Sequence, residues 1–147
     1  MAMRRRASAT WDGTLTEGSG HTTLASGVAG PLPVSWRART EEAGANTSPE
    51  ELIAAAHASC FSMALSAGLA DAGATSPHIE TDAACTFEQV GEGWKITTMA
   101  LRVRVTAGGL DEAAFRTATE AAKAGCPVSQ ALQGNVEVGL DAELVPV

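Results

Sequence analysis

A chain of 147 residues suffices for one domain that buries roughly two-thirds of its unfolded surface. Aromatic residues make up only 4% and tyrosine is absent, so the core has to come from Ala, Val, Leu and Ile in close packing. A net charge of −7 weighs against nucleic acid and anionic membranes as partners.

Met1 to Arg6 has the charge of a signal-peptide start, but Ala7-Ser-Ala-Thr-Trp-Asp-Gly13 supplies no apolar segment behind it, so the expected location is cytoplasmic. Ala7–Thr14 and Gly20–Ala25 read as a weak first hairpin, broken by Glu17-Gly-Ser-Gly20. Pro31 and Pro33 punctuate the next loop. Val34-Ser-Trp-Arg-Ala-Arg-Thr40 alternates, which predicts a third strand with Arg37 and Arg39 on its polar face.

Ser48-Pro-Glu-Glu51 is a helix start. Ser48 suits the N-cap, Pro49 suits N1 and Glu51 completes a capping box at N3. Leu52 to Ala70 then runs 19 residues without a charge, long enough to span a bilayer. Its Ala and Ser content and central His57 instead predict a buried core helix. Helical spacing of Ile53, Ala56, Cys60, Met63 or Ala64, and Ala67 places Cys60 on the buried stripe. Gly73 is the expected terminator.

Ile79 to Phe87 alternates as a strand, Gly91-Glu-Gly93 turns the chain, and Trp94–Val105 is its partner. Asp111 caps a second helix with Leu110 and Phe115 as a hydrophobic staple, closed by Lys123 and Gly125. Cys126-Pro127 opens a short helix with Cys126 at the N-cap, and Asn135–Leu144 is the last strand. The order βββ-α-ββ-α-α-β predicts a single α+β domain over residues 1–147, a mainly antiparallel sheet packed on a long central helix and a second helix.

Three cysteines without metal-ligand spacing or a C-x-x-C pair make structural disulfides and a metal site poor expectations. Cys60 and Cys85, taken alone, read as small core hydrophobes. Cys126 differs, because a thiol at a helix start meets free N–H groups that favour thiolate. His57, three residues before Cys60, is either a packed core histidine or half of a Cys–His nucleophilic pair. Arg37, Arg39, Glu50 and Glu51 have ordinary solvated or capping explanations.

The run S-P-E-E-L-I-A-A-A-H-A-S-C-F-S-M-A-L, with A-G-C-P-V-S-Q-A-L and the N-terminal W-D-G…G-S-G, resembles the OsmC subfamily of the OsmC/Ohr organic hydroperoxide reductases over nearly the whole chain. The resemblance implies an intertwined homodimer with two interface sites, and thiol-dependent reduction of organic hydroperoxides, more weakly of hydrogen peroxide. It implies no metal or organic cofactor. Cys60 matches the peroxidatic cysteine, Cys126 the resolving cysteine and Glu50 the catalytic glutamate. Arg39 matches the thiolate-activating arginine, with Arg37 as the alternative, since G-A-N-T-S-P-E-E-L departs from the commoner G-T-N-P-E-E-L. An external dithiol, whether a lipoyl protein, a thioredoxin-like protein or a small thiol, would reduce the Cys60–Cys126 disulfide.

Glu50 and Cys60 are ten residues apart, about 15 Å along one helix and some 80° out of phase. Either Glu50 serves a site on a second subunit or a long chain of contacts intervenes; the homodimer that the resemblance implies agrees with the first, with Arg39 as a second candidate to act across the interface. Two other readings stay open: a cysteine-dependent hydrolase or acyl transferase built on Cys60 and His57, and a non-enzymatic stress-related protein that binds a small ligand.

Overall fold

The computed structural model describes residues 1–147 and forms two compact units, Met1–Leu52 and Ile53–Val147. In the first, strands β1 (Ala7–Asp12), β2 (Ser19–Leu24) and β3 (Leu32–Val34) pair antiparallel in chain order. The glycines opposite Trp11 are a steric requirement. A Cβ on Gly20 would lie 2.8 Å from the Trp11 ring, and one on Gly18 2.9 Å from it. The indole therefore lies against bare backbone, which accounts for the spaced W-D-G…G-S-G pattern.

The predicted strand over Val34–Thr40 does not form. After the three residues of β3 the chain turns into a short helix, α1 (Arg37–Thr40), with Ala38 buried. Local hydrogen bonds outcompete the alternation. Ser35 Oγ accepts the Ala38 N–H at 3.1 Å, the Thr40 hydroxyl donates to the Trp36 carbonyl at 3.2 Å, and Arg37 Nε reaches Glu41 at 2.7 Å. Seven residues of alternation fit a pleated strand, yet the serine provides a competing turn at its second position.

Helix α2 (Pro49–Asp71) passes from the first unit into the second over 23 residues, about 34 Å. It starts as expected, with the Glu51 N–H donating to Ser48 Oγ at 3.2 Å. Only half of the capping box forms, because the Glu51 carboxylate accepts from the Thr47 hydroxyl at 2.9 Å. The C-terminus is a Schellman motif: Ala74 N–H bonds Leu69 O, Gly73 N–H bonds Ala70 O, and Gly73 takes φ +82°.

The buried stripe of α2 differs from the expected one. His57, Phe61, Leu65 and Leu69 are fully buried, whereas Ala56, Met63 and Ala67 are exposed and Cys60 is half-buried at the margin. In a helix uncharged on every side, Ala and Ser carry too little apolar area to mark a face; Phe and Leu decide it, each worth about 1.5–3 kcal/mol on burial. The helix is long and apolar enough to cross a membrane by length and composition. Its large side chains nevertheless pack in the core of the second unit with Met99, Leu101, Val103 and Phe115.

That core lies on one face of a three-stranded sheet, β4 (Thr75–Val90), β5 (Gly93–Gly108) and β6 (Glu137–Val145), in the order β4-β5-β6. The β4–β5 hairpin is antiparallel, and β6 pairs parallel to β5 after a crossover through α3 (Glu112–Gly125) and α4 (Pro127–Leu132). In β5, Met99, Leu101, Val103, Val105 and Ala107 point into the core, while Arg102 and Arg104 face outward. Arg104 there pairs with Glu143 at 3.4 Å, an exposed pair worth about 0–1 kcal/mol. Helix α3 begins as predicted: Asp111 accepts the Ala114 N–H at 2.7 Å, and Leu110 and Phe115 both join the core cluster. The α+β class and the mainly antiparallel pairing hold, with β5–β6 as the parallel exception.

Candidate active site

In the second unit, α2 presents Cys60 one turn beyond His57, and α4 starts at Cys126. Pro127 at N1 fixes the entry to α4, so Cys126 takes an extended conformation with its sulfur buried at the N-cap. The two sulfurs, 66 residues apart in sequence, lie 3.0 Å apart. All three cysteines are free thiols. A disulfide needs about 2.05 Å between sulfurs, so roughly 1 Å of approach separates Cys60 and Cys126 from a bond. Cys85 sits in β4 opposite Met99.

The two thiols are unequally tuned. Burial pushes Cys60 up, as does its hydrogen bond with Cys126, and the Val128 N–H only partly offsets them. For Cys126, burial also pushes up, but hydrogen bonds from Cys60, the Ser129 N–H, the Ser129 hydroxyl and the Val128 N–H outweigh it, and the pKa falls. None of the groups that set Cys60 is a cation. Ordinary donors thus make Cys126 the more acidic thiol within this unit.

His57 does not pair with Cys60. Its Nε2 lies 2.7 Å from Ser129 Oγ, its Nδ1 has no partner, and burial lowers its pKa. The Cys–His nucleophile of the hydrolase reading is therefore not assembled: a base for Cys60 would have to hold that sulfur, and this imidazole holds a serine. Ser129 was not singled out by the sequence. Its only signal is the N3 position after an N-cap cysteine, from which a short side chain can reach back to the cap.

In the first unit, Arg39 and Glu50 form a bidentate pair. Arg39 Nη2 donates to Glu50 Oε1 at 2.7 Å, and Arg39 Nε contacts Oε1 and Oε2 at 3.1 and 3.2 Å. The Glu50 side chain is only 7% exposed and that of Arg39 29%. The Arg39 guanidinium also lies 5.5 Å from the Trp36 ring centre, a cation–π contact. Arg37, the alternative arginine, points to solvent and pairs with Glu41 instead. Trp11, Leu15, Val34, Trp36, Arg39 and Pro49 line a largely apolar cavity of about 280 Å³ beside this pair. No cluster of His, Cys, Asp and Glu could hold a metal ion.

An α+β fold that brings two free cysteines from distant helices to 3.0 Å, one of them at a helix start, defines a dithiol redox protein. The family model described as OsmC-like protein matches residues 42–141, and the chain belongs to that family. It is 43% identical over 145 residues to peroxiredoxin OsmC of Escherichia coli (strain K12), covering 98% of this chain and 99% of that one. It is 33% identical over 98 residues to an organic hydroperoxide resistance protein of Xanthomonas axonopodis pv. citri (strain 306), covering 66% of this chain and 67% of that one. Among solved structures, the organic hydroperoxide resistance protein OhrB of Bacillus subtilis superposes with a TM-score of 0.70 at 26% identity, covering 94% of this chain and 98% of that one. The matched segment contains Glu50, Cys60 and Cys126 and begins three residues after Arg39.

Proposed function

We propose that this protein is a thiol peroxidase that reduces organic hydroperoxides, and hydrogen peroxide more weakly, through Cys60 and Cys126. The observation that carries the reading is the 3.0 Å approach of two free sulfurs from different helices. The Cys60 thiolate attacks the outer oxygen of the hydroperoxide, the O–O bond breaks, and the alkoxide leaves as the alcohol after taking up a proton. Cys60 is then a sulfenic acid. Cys126 attacks its sulfur, hydroxide leaves as water, and the Cys60–Cys126 disulfide forms before further peroxide can oxidise Cys60. An external dithiol, such as a lipoyl protein, a thioredoxin-like protein or a small thiol, restores the pair by exchange in the cytoplasm.

The first step needs Cys60 as thiolate, and the groups around it in its own unit push the other way. Arg39, held rigid by Glu50, is the cation suited to the task, because a bidentate carboxylate fixes the guanidinium plane. Glu50 lies about 15 Å along α2 from Cys60. The protein accordingly acts as an obligate homodimer in which residues 1–147 form one functional domain, and Arg39 and Glu50 of one subunit serve Cys60 of the other. The exposed, uncharged face of α2, with Ala55, Ala56, Ser59 and Met63, supports such a contact. The apolar cavity beside Arg39 favours a hydrocarbon substituent over the bare peroxide.

Non-reducing peptide mass spectrometry after one equivalent of cumene hydroperoxide tests this. The expected product is a Cys60–Cys126 disulfide with Cys85 free. Cys60 remaining a free thiol overturns the reading, and a fully active monomer in sedimentation overturns the dimer.

A further inference from the structure

Trp36 is the N-cap of α1 and Arg39 its third residue. In the alternating strand expected over Val34–Thr40, the two side chains would fall on opposite faces. The helical turn brings them to one side instead. The Arg39 N–H donates to the Trp36 carbonyl at 3.0 Å, and the Thr40 hydroxyl reaches the same oxygen at 3.2 Å. The Arg39 guanidinium carbon then lies 5.5 Å from the centre of the Trp36 ring, inside the roughly 6 Å reach of a cation–π contact. Glu50, in the first turn of α2, holds the same group by Nε and Nη2. Trp36 also walls the apolar cavity of about 280 Å³ beside the pair.

We propose that Trp36 is a positioning residue for Arg39: its indole face, together with the Glu50 carboxylate, fixes where the guanidinium charge is presented. The inference rests on the peroxidase reading above, in which that charge serves Cys60. Two constraints are needed for a physical reason. A carboxylate fork sets the plane of a guanidinium, but an arginine stem carries large rotamer entropy. The Glu50 side chain is 7% exposed and that of Arg39 29%, so the arginine is the looser end of the pair. The negative face of the indole attracts the cation and restricts that end. Its apolar bulk also keeps water from one side of the charge, which strengthens the field felt by a thiolate brought to it.

A half-buried cation–π contact is worth about threefold to tenfold in an equilibrium constant. Its loss should lower the rate of Cys60 oxidation by a similar factor, since a charge displaced by about 1 Å stabilises the thiolate less. The effect should not depend on the substrate. A wall that merely touches hydrocarbon would matter to cumene hydroperoxide and not to hydrogen peroxide, whereas a misplaced guanidinium handicaps both.

The test compares Trp36→Leu, Trp36→Phe, Arg39→Leu and the double variant Trp36→Leu, Arg39→Leu. The second-order rate constant of Cys60 oxidation is measured against pH with both peroxides. Expected for Trp36→Leu are a threefold to tenfold loss with each peroxide and a pH midpoint raised by about 0.5–1 unit. Trp36→Phe keeps a ring face and should stay within about twofold of wild type. Added to Arg39→Leu, Trp36→Leu should cost nothing further. The ultraviolet thiolate titration of Cys126 in a Cys60→Ser, Cys85→Ser background should not move in any variant. A loss confined to cumene hydroperoxide, additive losses in the double variant, or a shifted Cys126 midpoint overturns the inference. If Trp36→Leu does not fold, multiply fluorinated tryptophan replaces it, because fluorination keeps the ring shape and removes its negative face. The rate should then fall in the wild-type chain and not in Trp36→Phe; an unchanged rate overturns the inference. A wild type whose Cys60 is oxidised by neither peroxide would instead defeat the peroxidase reading. Urea midpoints of the same four variants would still decide whether the indole holds the arginine, and additive midpoints would show that it does not.

Discussion

Replacing Glu50 with glutamine keeps the side-chain shape and removes the charge that holds Arg39. The glutamate makes three contacts of 3.2 Å or less with the guanidinium and is almost wholly buried, while Arg39 keeps about a third of its surface in water. Breaking a fully buried pair costs about 3–5 kcal/mol, and solvent at the arginine reduces this to about 2 kcal/mol. For a chain of this length the melting temperature should fall by about 4–8 °C. Catalysis should suffer through orientation, because the amide can accept only one of the two parallel N–H bonds and Arg39 regains rotamer freedom. A loss of about 1.5–3 kcal/mol in thiolate stabilisation corresponds to a tenfold to hundredfold lower second-order rate constant for cumene hydroperoxide. Competition against a fluorogenic peroxide probe under excess dithiothreitol measures that constant, and Arg39→Lys provides the control that keeps charge but loses the fork. Glu50→Gln retaining a rate within twofold of wild type would refute the role assigned to the pair, even if the protein were destabilised.

Cys126→Ser should consume about one equivalent of peroxide and then stop, with Cys60 advancing to sulfinic acid under excess peroxide; sustained turnover with dithiothreitol, at the wild-type rate and without sulfinylation, would contradict a resolving role. His57 gives a signed pH dependence, since burial lowers its pKa in the folded state. Below about pH 6.5 the unfolded chain binds a proton that the folded chain does not, so stability falls with falling pH by up to about 1.4 kcal/mol per unit. Urea midpoints at descending pH should fall less steeply for His57→Gln, and parallel slopes would remove His57 as the cause. Asp111→Ala deletes the side-chain acceptor of the Ala114 N–H and should cost about 1 kcal/mol of stability, read by thermal melting with peroxidase rate unchanged.

The elements that the sequence made legible are those where one local rule acts alone. Ser48 and Asp111 start helices by accepting a first-turn N–H, and Pro49 and Pro127 by fixing φ at N1 where their missing N–H is not needed. The third strand was misread because Ser35 offered the backbone a turn, and a seven-residue alternation records faces without recording that competition. The buried face of α2 was misplaced by one position for a related reason. Its Ala and Ser residues leave the periodicity nearly flat, and only Phe61, Leu65 and Leu69 carry enough area to choose a side. The sulfur pair was legible through motif resemblance; the Ser129 link was not, because a serine after C-P-V has no pattern until His57 is seen against it.

The misplaced stripe bears on the chemistry. Had Cys60 sat in the middle of the buried face, full desolvation would have raised its pKa further and walled it off from substrate. At the margin, beside buried Phe61 and exposed Met63, it is reachable while its partner sulfur stays buried. The asymmetry suits the proposed order of events, in which the half-buried thiol meets peroxide first and the buried one attacks only what Cys60 has become. The donors on Cys126 work against Cys60 at rest, since they make the wrong sulfur the more acidic. On the proposed roles, a cation delivered to Cys60 alone would reverse that ranking, and arginine access would be the switch between a resting dithiol and an armed peroxidatic thiolate. On this argument Arg39→Ala should lower the rate of Cys60 oxidation by at least tenfold while leaving the Cys126 titration in the Cys60→Ser background unmoved, and a shift in both would show that the two thiols are not tuned separately.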